Sequence, residues 1–318
     1  MKACSFLPAA TAMIQDMDLE EFLCGVTFEC PSDKPAVVRS LLEHRLCSSR
    51  EIDTIISQAK AQGKSLYWID EALLQEIGPD LIFTQDVCSV CQIDTACVQQ
   101  AVSKLSRQPA LIPLLPRTLS EVFGDAVTIA RALGKEENAH RHLATLYEEL
   151  ACIQHTLEQH KAPVKKMMLM EWMDPVYSCG HWIPGMIEKA GGLDLLGTPG
   201  GYSGVVPWEK VLAYDPEVLV IAPCGFTPSR TLEELEQLSS RPGWRQLAAV
   251  QNGQVYIADG DLFTCPGTRL VKGIQLLASF LHPKLFGVPA QLSDRFISVS
   301  PDLYNLPSEA TVLPALHV

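Results

Sequence analysis

The sequence predicts an α/β protein of two lobes, each built on a parallel sheet, with one long helix between them. Three observations predict it. Short apolar runs alternate with amphipathic helical stretches, the pattern of parallel strands covered by helices. An amphipathic stretch of about 25 residues lies near the middle; at ~1.5 Å per residue it spans roughly 37 Å, enough to run from one lobe to another. A fresh strand–helix alternation begins directly after it, at Pro163. The 318 residues suit two domains. The expected organisation is a first lobe over 1–135, a linking helix over 136–162, a second lobe over 163–288 and a tail over 289–318.

In chain order, strands are expected at 2–6, 23–27, 81–84 and 110–115, with helices clearest at 50–62 and 70–77. Thr118 and Glu121 have the spacing of a capping box. Leu119, Val122, Phe123, Ala126, Ile129, Ala130 and Leu133 then form a helical stripe, which Gly134 ends. The linking helix over 136–160 carries Leu143, Leu146, Leu150, Ile153 and Leu157 on one face and Glu136, Glu137, Arg141, Glu148, Glu149 and Glu158 on the other. The second lobe reads as strands at 167–171, 217–222 and 255–258, with helices at 183–190, 208–213, 231–239 and 267–281. From Pro289 the chain is proline-rich, weakly patterned and expected to be a surface tail.

Composition narrows the function classes. Hydrophobic residues make up 47% and charged residues 19%, so a sizeable core can be buried. A net charge of -12 repels phosphate backbones, which argues against a nucleic-acid partner. No run approaches the ~20 apolar residues of a membrane helix. The apolar run at the start is broken at Pro8, and Cys4 precedes it rather than following it. Neither a secretory signal nor a lipoprotein cysteine is read there, so a cytoplasmic location is expected. The 11 cysteines then stay mostly reduced rather than forming a disulfide framework.

In open parallel sheets, ligands bind beyond the carboxyl ends of the strands, and the unusual residues cluster there. Pro8 follows the first strand, Glu29 and Cys30 the second, and Asp86, Cys88 and Cys91 the third. In the second lobe the strand ends carry Glu171, Cys224 with Phe226, and Phe263 with Cys265; His181 and Trp182 open a helix. If the lobes face each other, these loops line one cleft.

Each motif has a plain reading beside a chemical one. Cys88-x-x-Cys91 is either two small packed residues or half of a zinc site, with Cys30, Cys224, Cys265 and His181 as further candidate ligands. His181 is either a structural hydrogen-bonding residue or a ligand contact. Trp172, Trp182 and Phe263 are either core aromatics or a stacking wall of the kind small-molecule sites use. Glu29, Asp86 and Glu171 are carboxyls at strand ends, with no Ser-His-Asp or paired-carboxylate spacing around them. The glycine-rich 197–204 segment lacks the strand before it and the Lys-Ser/Thr of a phosphate loop, so it reads as a flexible connection that brings Ser203 near the cleft.

Several segments together carry a resemblance. They are Ser5-Phe-Leu-Pro-Ala-Ala-Thr11, Gly25-Val-Thr-Phe-Glu-Cys30-Pro31, the run from Pro79 to Cys91, Glu171-Trp-Met-Asp-Pro175, Gly180-His-Trp-Ile-Pro184 with Gly191 and Gly192, and Ala222-Pro-Cys-Gly-Phe226. Over about residues 1–288 the chain resembles the class III, helical-backbone substrate-binding proteins of ABC transporters, and within them the cobalamin-binding group. The resemblance implies two Rossmann-like lobes with parallel sheets joined by a single long helix. It implies a non-catalytic protein that holds a corrinoid or related metal chelate in the interlobe cleft, an ABC permease as partner, and docking through Glu71 and Glu209. It adds Arg269, in Phe263-Thr-Cys-Pro-Gly-Thr-Arg269, to the ligand-binding candidates. The sequence departs from the family pattern at Phe28, where a histidine is usual, and at Cys265, where an arginine is usual.

Two other classes stay open beside it. The cleft cysteines suit a zinc or iron–sulfur protein, an enzyme included, on the same fold. An intracellular corrinoid chaperone or sensor would hand its ligand to a corrinoid-accepting protein.

Overall fold

A computed structural model describes residues 1–43, 45, 47–85 and 95–300. Among them the strands form two sheets, one on each side of the long helix. The first sheet contains β1 (Ala3–Ser5), β2 (Leu23–Thr27), β3 (Ala36–Ser40), β4 (Tyr67–Ile69), β5 (Leu81–Gln85) and β6 (Ala110–Leu114). Its spatial order is β4-β3-β2-β1-β5-β6, parallel throughout except that β4 runs antiparallel to β3. Around it lie α1 (Pro8–Asp16), α2 (Ser49–Ala61), α3 (Glu71–Ile77), α4 (Thr95–Ser103) and α5 (Leu119–Ala132). The linking helix is α6 (Glu136–Gln159).

The second sheet is built on parallel β7 (Lys165–Met173), β11 (Val218–Ile221) and β12 (Val255–Ala258). The short strands β8 (Val176–Ser178) and β10 (Gly204–Val205) extend one side, β9 (Gly192–Leu193) pairs the start of β7, and β13 (Phe296–Ser298) closes the other edge. Its helices are α7 (Ile183–Lys189), α8 (Trp208–Tyr214), α9 (Pro228–Leu232), α10 (Glu236–Ser239), α11 (Ala248–Gln251), α12 (Asp261–Thr264) and α13 (Leu270–Leu281).

The local signals act as their chemistry requires. Thr118 caps α5 with both halves of the capping box in place, and its apolar stripe is buried. Asp70 caps α3, and Gly78 ends it in the left-handed region. A single apolar cluster joins α1 and α5 of the first lobe, Leu143, Leu150 and Ile153 of α6, and α7 and α13 of the second lobe. The lobes therefore share packed core along the side that α6 occupies.

Three expectations are corrected. Residues 8–11 are not a loop but the first turn of α1, where Pro8 takes the N-terminal position that its fixed φ suits. The helix expected over 231–239 is split into α9 and α10. The segment beyond Pro289 is not all surface tail: Phe296–Ser298 pairs antiparallel with β12, and Phe296 packs on Tyr256 and Phe280. Three residues are too few to show an alternation in sequence. Strands β3 and β4 were not anticipated for a related reason: they gain their place by pairing with β2 and with each other.

Candidate ligand site between the lobes

The ends of β2, β7, β11 and β12 converge. In the first lobe, Cys30 follows β2 in a tight turn, its N–H donating to the Thr27 carbonyl at 3.0 Å. Its thiol donates to Thr11 Oγ1 of α1 at 3.1 Å. In the second lobe, Glu171 Oε1 accepts from the Gly180 N–H at 3.1 Å and Oε2 accepts from Ser203 Oγ at 2.5 Å. One carboxyl thus pins both the loop before α7 and the glycine-rich connection. Gly180 allows that approach, since a Cβ there would lie 2.4 Å from the Ser203 nitrogen. Gly260, at the end of β12, lies against Pro223 in the same way and stacks the two loops that carry Cys224 and Cys265.

Electrostatics show which of these groups face one another. Burial, reinforced by Asp261 across the cleft, raises the Glu29 carboxyl to about 7. Glu171 also rises to about 7, through burial that outweighs its bonds to Ser203 and Gly180. The Cys224 thiol is pushed up to about 12 by burial, with Glu171 and Glu29 adding to it, and Cys30 to about 11. Cys265 is raised further by burial and then by Asp261, Cys224 and Cys30. Glu29 and Cys224 nevertheless have exposed surface. Groups that solvent reaches while protein atoms crowd them from the sides lie in a recess. The recess brings together Glu29 and Cys30 of one lobe with Glu171, Cys224, Asp261 and Cys265 of the other.

His181 stands beside this recess with φ at 51°, in the left-handed region that non-glycine residues seldom adopt. Its backbone is held from both sides, by the Gly201 carbonyl at 2.6 Å and the Gly200 N–H at 2.9 Å. The ring lies 5.3 Å from Trp182 and meets Tyr202 edge-on at 5.3 Å. Arg117 of the first lobe sits over Tyr202. Burial and then Arg117 lower the imidazole pKa, so the ring is neutral at pH 7. Its Nε2 is buried without a hydrogen-bond partner among the described residues.

Other expected residues are placed differently. Trp182 and Phe263 are core rather than stacking wall: Phe263 is fully buried, and Trp182 Nε1 donates to its carbonyl at 2.7 Å. Phe226 is buried beneath Arg230 and against Trp172. Arg269 does not point a free charge into the cleft; its guanidinium holds Asp16 of α1 at 2.9 Å and so ties the lobes. Pro8 is half-buried at the start of α1. Glu71 and Glu209 are exposed on separate lobes, Glu71 paired with Lys104 at 2.7 Å. Asp86, Cys88 and Cys91 lie outside the described residues.

Among the described residues, no group of three or more His, Cys, Asp or Glu side chains is arranged to hold a metal ion. Cys30, Cys224, Cys265 and His181 make no such group with one another, and Cys88 and Cys91, the other candidate ligands, lie outside the described residues. Asp261 and Asp194 were not anticipated. Asp194 is buried and accepts from the Leu169, Leu196 and Gly197 N–H groups. Its position two residues after Gly192, where a strand is too short to recognise, gave no signal.

The model of the periplasmic binding protein family matches residues 75–262. The chain belongs to that family. Solved structures of similar fold include a periplasmic binding protein from Veillonella parvula, 18% identical, covering 89% of this chain and 91% of that one with a TM-score of 0.65. A periplasmic heme-binding protein from Pseudomonas aeruginosa is 15% identical, covering 89% and 93% with a TM-score of 0.66. The periplasmic vitamin B12-binding protein BtuF of Vibrio cholerae is 16% identical, covering 88% and 96% with a TM-score of 0.58. In sequence, the chain is 25% identical over 174 residues to YvrC, an uncharacterized ABC transporter substrate-binding lipoprotein of Bacillus subtilis. That match covers 54% of this chain and spans about half the length of the relative, 52%.

These findings overturn the expected cytoplasmic location. The family is one of periplasmic binding proteins and the B. subtilis relative is a lipoprotein, which points outside the cytoplasm. The opening segment holds Ala3–Ser5, a buried strand of the first lobe, and the start of α1 at Pro8, so its pattern reports on the fold and not on targeting. No helix among the described residues is long and apolar enough to cross a membrane.

Proposed function

We propose that the interlobe recess binds a corrinoid, a cobalamin-like metal chelate, without turning it over, and that the protein delivers it to an ABC permease. The observation that carries this reading is the convergence of separate segments on one recess. Gly25–Pro31, Glu171–Pro175, Gly180–Pro184 and Ala222–Phe226 all resemble the cobalamin-binding group, and all contribute to the same cleft. Metal chelation as the ligand class is supported by fold neighbours that bind vitamin B12 and heme and by one from an Fe3+-hydroxamate transport system.

The chemistry of the recess favours binding over catalysis. Raised pKa values leave Cys30, Cys224 and Cys265 as neutral thiols at pH 7, and the thiol is a far weaker nucleophile than the thiolate. Glu29, Glu171 and Ser203 offer oxygen acceptors at the rim of a bulky ligand, which matches the amide N–H donors on a corrin periphery. The neutral His181 ring offers a nitrogen acceptor beside them. Glu71 and Glu209, exposed one on each lobe, are the proposed permease contacts.

Titration of the purified protein with cyanocobalamin, followed by absorbance and calorimetry, tests the reading. One-to-one binding at micromolar concentration or tighter is expected. Binding of hemin or a ferric hydroxamate in place of any cobamide would overturn it.

A further inference from the structure

Helix α2 does not pack as an ordinary layer of its own lobe. It lies between β3 and β4, which pair antiparallel at the edge of the first sheet, and Leu41 and Leu66 are bonded across its base at 2.9 Å. Ser49 at its first turn is its one fully buried residue; the rest of the helix is exposed or half-buried. What buries Ser49 is the other lobe. The Ser49 N–H donates to both Glu234 oxygens at 3.0 Å, and Ser49 Oγ donates to Glu234 Oε2 at 2.5 Å. The Ser49 carbonyl accepts from Trp172 Nε1 at 3.2 Å. Arg50 pairs with Asp174 at 2.6 Å, Arg230 donates to the Cys47 carbonyl at 2.8 Å, and Ile52 packs on the apolar cluster of the second lobe.

The docking place is the flank of the cleft. Trp172 and Asp174 follow Glu171 on the same strand end. Phe226 and Arg230 follow Cys224, and Glu234 lies one turn of helix further. Opposite this flank the lobes share continuous core through α6, so they cannot swing apart there without breaking it. The α2 contact is held at one helix end instead. Few buried apolar contacts and an exposed helix mark a segment of low local stability.

Glu234 is suited to a latch that opens and closes. It is buried at 6% exposure, and a buried carboxylate left without partners would be costly. When Ser49 departs, Arg230 and Gln237 still bond it, so opening leaves no bare charge. In the closed state the carboxylate also caps the positive end of the α2 dipole.

We propose that α2 gates the cleft: its N-terminal end, latched by Ser49 on Glu234, closes one flank, and ligand enters and leaves when the latch opens. The inference rests on the reading that the cleft holds the ligand, and its test is built to work without that ligand. Glu234→Gln keeps the volume and one acceptor, and Ser49→Ala removes the hydroxyl alone. Two measurements on ligand-free protein are amide hydrogen exchange at 50–56 and the rate at which a bulky maleimide labels Cys265 in the recess, followed by mass spectrometry. Both rates are expected to rise about tenfold in Glu234→Gln, corresponding to ~1.4 kcal/mol, and less in Ser49→Ala. The loading rate of cyanocobalamin should rise in parallel. Unchanged exchange at 50–56 would show that Glu234 does not hold α2. Faster exchange with unchanged Cys265 labelling would show that α2 does not gate the recess. If no cobamide binds even the wild-type protein, the ligand reading fails and the labelling arm alone decides the gate.

Discussion

Replacing Gly260 by alanine isolates what tertiary contact demands at the floor of the cleft. The residue has φ −56 and ψ −36, ordinary right-handed helical values that alanine adopts without strain. By local propensity alone the change would stabilise by ~0.5–1 kcal/mol, because it restricts the unfolded chain. The fold reverses that sign. A Cβ at Gly260 would stand 2.0 Å from the Pro223 carbonyl oxygen and 3.3 Å from the Gly225 nitrogen. Both are backbone atoms and cannot rotate away. The loops must separate by roughly an ångström, which costs ~1–3 kcal/mol by overpacking. The 3.0 Å bond from the Gly260 N–H to the Phe226 carbonyl then weakens, for a further ~0.5–1.5 kcal/mol. The midpoints of these terms net to a loss of ~2 kcal/mol, or a fall in melting temperature of ~4–8 °C. Gly124→Ala, in α5 with nothing within 4 Å of the added carbon, is the matched control and should gain ~0.5–1 kcal/mol. Urea unfolding of the three proteins reads both. A Gly260→Ala stability within ~0.5 kcal/mol of wild type would refute the reasoning, since overpacking against the Pro223–Gly225 backbone would then carry no cost.

Further outcomes follow from the same geometry. Glu171 holds its proton to about 7 when folded but ionises near 4.5 when unfolded, so the folded state binds more protons between those values. Its contribution is full below about 4.5 and is lost as pH rises through about 7; Glu171→Gln, which cannot ionise, should gain stability relative to wild type as pH is raised from 5 to 8 in thermal melts. A relative stability flat with pH would mean that Glu171 titrates normally. Trp182→Phe removes the 2.7 Å bond to Phe263 and strands a buried carbonyl, with an expected cost of ~1–3 kcal/mol in urea unfolding. If the proposed function holds, reversing the charge at both Glu71 and Glu209 should leave cyanocobalamin affinity unchanged and abolish stimulation of a cognate permease ATPase; undiminished stimulation would place these residues outside the docking role.

Much of the fold was legible because long amphipathic elements carry their own period. The α5 stripe from Leu119 to Ala130, the α6 face of Leu143, Leu150 and Ile153, and the strand at Val255–Ala258 needed no partner to be recognised. Short edge strands did not have that advantage, and neither did β13. The strand-end rule located Glu29, Cys30, Glu171 and Cys224 for a similar reason: topology alone decides which end of a parallel sheet is open. That rule does not tell a wall from a core; burial and the hydrogen bond between Trp182 and Phe263 do.

Two α/β lobes and the helix between them are encoded locally, because each follows from periodicity and turn chemistry within a few tens of residues. The partnerships across the lobes are set by long-range packing instead. Arg269 looks like a ligand-binding cation in sequence, yet Asp16, separated from it by almost the whole chain, claims it. The partnership of Ser49 with Glu234 likewise joins residues 185 positions apart. Nothing local in either segment encodes the other, since a hydrogen bond across two lobes depends on where packing leaves the two ends.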